Sequence, residues 1–211
     1  MNLSRYHAKR DFSRTREPKG RSGRVPRAAA GGQFVIQKHA ASRLHYDFRL
    51  EISGVLKSWA VPKGIPTEKG DKRLAIAVED HPVEYGSFEG IIPPGSYGAG
   101  TVMLWDTGAF ETLEDTPAAA VRKGKLVLHL AGGKLNGHWT LVRMKPGQFG
   151  RENSWLLIKT EETVRSISAR ADDCSAVSGR TMKQIAAGSK RPTRKRAPSS
   201  QAVFSGASAG G

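Results

Sequence analysis

His39-Ala40-Ala41-Ser42-Arg43-Leu44-His45-Tyr46-Asp47-Phe48-Arg49 is the stretch from which the rest of this 211-residue chain can be read. From Leu44 onward, apolar and polar residues alternate. Leu44, Tyr46, Phe48 and Leu50 share one face; His45, Asp47, Arg49 and Glu51 share the other. Period two specifies a strand with one buried face. The run Phe34 to Lys38 also reads as a strand and ends at His39. A short reversal at 40–43 would set His39 beside His45. Two imidazoles and a carboxylate suit a borderline divalent ion such as manganese, iron or zinc. Arg49, two residues past the carboxylate, would be free to grip an anion with its planar fork. The bland alternative is a polar strand face in solvent.

A second stretch weighs against the bland reading. Arg73-Leu74-Ala75-Ile76-Ala77-Val78-Glu79-Asp80-His81 is closed by Pro82 and reads as one strand. Leu74, Ile76 and Val78 would share the core face. Arg73, Ala75, Ala77, Glu79 and His81 would share the polar face, where two alanines leave space. Packed near the first strand, these residues predict a compact pocket of three His, two Arg and two acids.

The remaining chain supplies scaffold. Strand signals recur at 55–61, 100–105, 109–112, 125–131, 137–144 and 154–160, with Asn136-Gly137 as a hairpin-type turn. Residues 86–100 are rich in glycine and proline and predict a shaped loop. Thr116 to Gly124 predicts a short helix: Thr116 as cap, Pro117 in the first turn, Gly124 as stop. Trp59, Trp105, Trp139 and Trp155 all fall in predicted strands and are read as core. His129 and His138 are read as structural. Many short strands and so little helix predict a mainly all-β fold, either a sandwich or a small closed or nearly closed β-barrel.

The formal net charge is +15, from 34 basic and 19 acidic side chains. Residues 1–32 carry nine bases and two acids, and residues 163–211 the same, leaving +1 for 33–162. The expected organisation is a basic N-terminal arm (1–32), a barrel domain (33–162) and a basic, largely disordered C-terminal tail (163–211) with a short helix near 180–187. Basic arms predict a polyanionic partner, nucleic acid first. The single cysteine, Cys174, excludes a disulfide framework and fits a reducing cytoplasm. No apolar run approaches the ~20 residues that cross a bilayer, and the N-terminus lacks a signal-peptide pattern.

Taken together, these motifs resemble the 3′-phosphoesterase domain of bacterial DNA ligase D, a domain that also occurs as a free-standing protein. The matching stretches are Lys9 to Phe12 with Thr15 and Glu17-Pro18, Phe34 to His39, Arg43 to Leu50, Trp59 to Gly64, Val78 to Pro82, and Tyr85 to Gly100. Weaker matches continue through 137–143 and 155–159, so the resemblance covers about residues 5 to 160. It implies a β-barrel whose groove holds one manganese ion, with Co2+ or Zn2+ as alternatives. By the motif match, His39, His45 and Asp47 would be the metal ligands. Arg49 and His81 would contact the scissile phosphate. Lys63, Arg73, Glu79 and Tyr85 match further active-site positions, and Arg10, Asp11 and Glu17 match an N-terminal segment that takes part in activity. The implied activity heals DNA 3′ ends in non-homologous end joining: a terminal ribonucleoside is removed, and the 3′-phosphate left behind is hydrolysed to a hydroxyl. The implied substrates are primer-template or duplex 3′ ends, including those with terminal ribonucleotides, in a cytoplasmic, nucleoid-associated setting. No polymerase or ligase module is recognised in the chain, so a separate ligase or polymerase and Ku are candidate partners of a free-standing homologue.

The residues leave the role of His81 open between general acid and transition-state stabiliser. Two rival classes are weighed. A non-catalytic DNA-end-binding module would need arginines and lysines but no metal set. A non-haem iron oxygenase would use His45, Asp47 and the distant His81 as a facial triad.

Overall fold

In a computed structural model, the described residues are 3–20, 31–113, 115–147, 150–162, 164, 165 and 167–188. In chain order they form α1 (Ser4–Ala8), β1 (Gly31–Ala40), β2 (Leu44–Ile52), β3 (Val55–Val61), β4 (Lys72–Ala77), a 3-10 turn (Val83–Ser87), β5 (Gly90–Ile92), β6 (Gly100–Thr112), α2 (Pro117–Lys123), β7 (Lys125–Gly132), β8 (Asn136–Arg143), β9 (Ser154–Lys159), α3 (Ala169–Asp172) and α4 (Met182–Ala186). The strands run in the order β1-β2-β3-β4-β9-β8-β7-β6, and β6 returns to pair with β1. Eight antiparallel strands therefore close a barrel, which removes the exposed edges of an open sheet. β5 is an extra short strand beside the start of β6. The expected strands at 100–105 and 109–112 are one continuous β6.

The barrel interior takes the apolar face of each strand: Phe34 and Ile36, Phe48 and Leu50, Leu126 and Leu128, Leu141 and Leu157. All four tryptophans are buried, Trp139 completely. Trp139 donates its indole N–H to Pro66 O at 2.9 Å, which satisfies the one polar atom it brings inside. Gly124 ends α2 with φ +84°, the left-handed conformation that the helix stop requires.

Three sequence expectations change. The β7–β8 turn lies at 133–135, before Asn136, because β8 already begins there. The Asp106 carboxylate organises it, accepting the backbone N–H groups of Gly133, Lys134 and Leu135 at 3.0, 3.1 and 2.8 Å. The strand expected over 73–81 ends at Ala77, and its faces are the reverse of those read from sequence. Ala75 points into the core while Leu74 is exposed.

The third change is at the C-terminus, where the folded unit does not stop at residue 162. Val164 and Ile185 enter the core, and Ile167 and Met182 pack against it. Asp172 accepts Lys38 Nζ at 2.7 Å and Trp105 Nε1 at 3.0 Å. Arg180 meets Glu89 at 2.8 Å, and a reciprocal Thr181–Gln184 capping box starts α4. The short helix expected near 180–187 is α4, but the segment carries isolated anchors instead of a periodic pattern, so its docking onto the barrel is not legible in the sequence. The disorder expected of the tail from 188 onward falls on 189–211, which lie outside the described residues.

Candidate active site

The site is built on the outer face of β1, β2 and β3, opposite the apolar interior. Strand register lays it out row by row. His39 pairs with His45, Gln37 with Asp47, and Val35 with Arg49 across β1–β2. Asp47 then pairs with Ala60 and Arg49 with Ser58 across β2–β3. Paired residues of antiparallel strands project to the same side, so six polar side chains converge: His39, Gln37, His45, Asp47, Arg49 and Ser58. The short reversal at 41–43 does place His39 beside His45, with ring centroids 4.7 Å apart.

His81 arrives from a different register. Trp59 pairs with Ala77 and Ala60 with Ile76, yet Leu56 pairs with His81. Three residues of one chain therefore oppose two of the other. This bulge turns His81 over onto the outer face, since a one-residue slip exchanges the two faces of a strand. It is the physical reason that Glu79 and His81 reach the site while Arg73, Ala75 and Ala77 do not.

Donor atoms of His39, His45 and Asp47 all lie within 4.8 Å of one another. His39 Nδ1 and His45 Nε2 stand 3.7 and 3.9 Å from Asp47 Oδ2. Bonds of about 2.0–2.2 Å to a metal ion set neighbouring ligand atoms roughly 3–3.5 Å apart, so a small contraction would suffice. The tautomers also fit. His39 Nε2 donates to Gly98 O at 2.9 Å, and His45 Nδ1 donates to Arg43 O at 3.0 Å. A carbonyl only accepts, so each ring carries its proton on the outward nitrogen and turns a lone pair toward Asp47. Such backbone orientation is the usual support of a ligating histidine. Burial alone would raise the Asp47 pKa. The Arg49 charge leads the contributions that offset this and hold Asp47 well below the usual carboxylate range.

Arg49 is the hub, and it is not free as the sequence suggested. Its Nε donates to Gln37 Oε1 at 2.7 Å, Nη1 to Ser58 Oγ at 2.8 Å, and Nη2 reaches Asp47 Oδ2 at 3.1 Å. Nη1 also lies 3.0 Å from His81 Nδ1. His81 Nδ1 donates to Glu79 O at 2.9 Å, leaving Nε2 to accept from Arg10 Nη2 at 3.2 Å. Burial first, then the charges of Arg49 and Arg10, push the His81 pKa well below its ordinary value, so its imidazole is neutral.

Residues 3–20 cover this layer. Tyr6 is fully buried against His81 and Tyr85, and its hydroxyl donates to Pro18 O at 2.6 Å. Arg10 stacks on the Tyr6 ring at 3.9 Å, with ion pairs to Glu17 at 2.9 Å and Glu79 at 3.2 Å. Tyr85 donates its hydroxyl to Glu17 at 3.1 Å. Lys9 adds a second cation to Glu79 at 2.9 Å.

These outer-face motifs identify a family. A family model described as the DNA ligase D 3′-phosphoesterase domain matches residues 37–143. The chain belongs to this family. It is 51% identical over 162 residues to the multifunctional non-homologous end joining protein LigD of Pseudomonas aeruginosa, covering 76% of this chain and 19% of that protein. Identity is 48% over 143 residues to the Mycobacterium tuberculosis LigD DNA repair protein (67% and 18%) and 43% over 150 residues to that of Mycolicibacterium smegmatis (68% and 19%). The chain thus spans about a fifth of the length of these relatives.

Not every expected site residue of this LigD-type phosphoesterase domain is in the cluster. The structure brings together His39, His45, Asp47, Arg49, His81, Glu79, Tyr85, Arg10 and Glu17. Arg73 is held by Asp71 at 2.9 Å, at the far end of β4 from His81. Lys63 is exposed in the turn after β3. Asp11 is exposed and accepts the backbone N–H and hydroxyl of Ser13. His81 stands across Arg49 from Asp47, so the third member beside His45 and Asp47 is His39, unlike the triad weighed for an oxygenase. Gln37, Ser58, Lys9 and the Gly98 carbonyl belong to the site but were not singled out. Gln37 was within reach, since it shares its strand face with His39. The Gly98 carbonyl has no sequence signal, because every residue carries one.

Proposed function

We propose that this chain is a manganese-dependent DNA 3′-phosphoesterase that heals 3′ ends for non-homologous end joining. It would act first as a 3′-ribonucleoside phosphodiesterase and then as a 3′-phosphomonoesterase. The observation that carries this reading is the pair of carbonyl-oriented histidines around Asp47, joined through one arginine to His81. The names of the LigD relatives support the end-joining role.

His39, His45 and Asp47 would hold the ion, which when bound supplies Lewis-acid neutralisation of a phosphoryl oxygen and a water of lowered pKa. Arg49 aligns Asp47 and His81 about a common centre. Arg10 and Arg49 place two fixed cations where negative charge builds on the phosphoryl group, so little reorganisation is needed in the transition state. A phosphate arriving beside His81 offsets the surrounding positive charge that keeps the imidazole neutral. His81 is thereby set to take up a proton with the substrate and to hold it beside the leaving oxygen. Glu17 and Tyr85 act behind Arg10, fixing the direction of its guanidinium.

The test uses a primer ending in a ribonucleoside, and the same primer ending in a 3′-phosphate, each annealed to a template. Manganese should produce nucleoside and phosphate release that chelator abolishes. Release of neither product with any divalent ion would overturn the reading. On this reading the protein works on DNA ends in the cytoplasm, with a ligase, a polymerase or Ku as functional partners. No helix among the described residues is long and apolar enough to cross a membrane.

The charge of the chain ends gives a further expectation. Deleting 189–211 removes Lys190, Arg191, Arg194, Lys195 and Arg196, but no residue of the cluster. Turnover at saturating DNA should persist. The slope of log affinity against log salt should become shallower by up to about 4 units, since each phosphate contact contributes about 0.9. Binding titrations across a salt series measure this, and an unchanged slope would remove the tail from the DNA interface.

A further inference from the structure

Tyr97 stands out on the rim of the site. It is the one aromatic among the large apolar side chains exposed in the described residues, with half its surface open. It precedes Gly98, whose carbonyl orients His39. Its position is braced: Lys9 Nζ donates to its hydroxyl at 3.0 Å and sits 4.3 Å from its ring centroid, while bonding Glu79. The ring therefore stands on a chain of contacts that runs through Lys9, Glu79 and Arg10 to His81. An exposed aromatic normally gains little by being held in place. Here it forms a braced flat surface at the edge of the cluster, with the Arg10 guanidinium 5.8 Å from its ring centroid.

Two clefts meet at this ring. One is an open groove of ≈ 520 Å³ running past Lys57, Asp80 and Trp155. The other is a recess of ≈ 110 Å³ between the N-terminal segment and the glycine-rich loop, lined by Arg14, Thr15 and Ser96. The recess is much the smaller of the two, a size that suits the one group at a chain end better than a continuing strand.

Resting on the phosphoesterase reading, we propose that Tyr97 is the stacking platform for the base of the terminal nucleoside, the group that departs in the diesterase step. Stacking on tyrosine is tolerant of base identity, because every base offers a π-face. The open groove is left for the strand on the other side of the scissile phosphate. Arg14 and Ser96 supply polar contacts at the edge of the recess.

The two reactions separate this role from others, because the monoester substrate has no terminal nucleoside. Wild-type protein and the Tyr97→Ala, Tyr97→Phe and Tyr97→Trp variants would be assayed with manganese on both primers. In Tyr97→Ala, the ratio of kcat/KM for the ribonucleoside diester to that for the 3′-phosphate should fall about ten-fold or more, within the range of base–aromatic stacking. Tyr97→Phe and Tyr97→Trp should keep the wild-type ratio, since both retain a ring. Manganese affinity, measured by calorimetry, should be unchanged in all three. An equal fall in both reactions would overturn the proposal and assign Tyr97 to the strand or to the orientation of His39. An unchanged ratio in Tyr97→Ala would overturn it too. Wild-type protein inactive on both primers would instead bring down the phosphoesterase reading, and this platform with it.

Discussion

A His45→Ala variant will stay folded and lose about 10³-fold or more in turnover, because several kcal/mol of Lewis-acid stabilisation is lost, at 1.36 kcal/mol per decade. Of the three proposed ligands, His45 is the best to remove because its side chain is partly exposed, whereas those of His39 and Asp47 are nearly enclosed. It lies near the start of β2 and contributes nothing to the barrel interior, so the fold should change by under about 1 kcal/mol, as at other non-core positions. Asp47→Ala would be less informative. It also strips Arg49 of its carboxylate and leaves a buried cation unpaired, so lost activity and lost folding would be confounded. The measurements are circular dichroism through thermal unfolding, manganese titration by calorimetry, and product release from both primers. A folded His45→Ala protein with wild-type manganese affinity and turnover would remove the ligand assignment.

Arg49→Lys is the second large effect, although it keeps the charge. The guanidinium reaches Gln37, Ser58, Asp47 and His81 from one planar group. An ammonium has three donors radiating from a point and cannot span these partners. Gln37 Oε1 is buried, and its other contacts run from Nε2 to the carbonyls of Tyr85 and Phe88, so it would lose its donor. The expected loss is roughly 2–3 kcal/mol of stability, the scale of charge-assisted hydrogen bonds and of one stranded acceptor. That corresponds to a fall in Tm of several degrees. Turnover should drop about 10²-fold or more, the scale of removing one aligned transition-state donor. Manganese binding should survive, because the three side chains proposed as ligands remain. The result that would sink this account is a lysine variant with wild-type kcat and unaltered Tm, since the planar fork would then be dispensable.

Much of the site could be read from alternation alone. His45, Asp47 and Arg49 sit at every second position of one strand, and His39 ends the strand before it, so local periodicity and one short turn bring them together. The mainly all-β architecture follows from the same rule applied to each strand, while closure into a barrel needs β6 to return and pair with β1. The readings that failed needed non-local information. The face of His81 depends on one extra residue between Ala77 and His81, and a bulge is visible only against the partner strand. Without the bulge, alternation alone places Ala75 and Ala77 on the floor of a pocket and Arg73 at its border.

The sequence by itself determined the mainly all-β architecture, the hairpin with its outward row of His, Asp and Arg, and the partition of charge toward the two ends. Each is a property of spacing or composition over short distances. Only the tertiary structure decided which polar face is covered and which is open. Residues 3–20 close over that outer face through Tyr6, Arg10 and Glu17, turning what reads as a solvent-exposed row into a buried ionic layer. The segment from Val164 to Gly188 joins the barrel through single anchors such as Ile185 and Asp172. Neither contact follows from local preference. Each depends on apolar and charged partners brought together from distant parts of the chain, and those partners exist only once the barrel has closed.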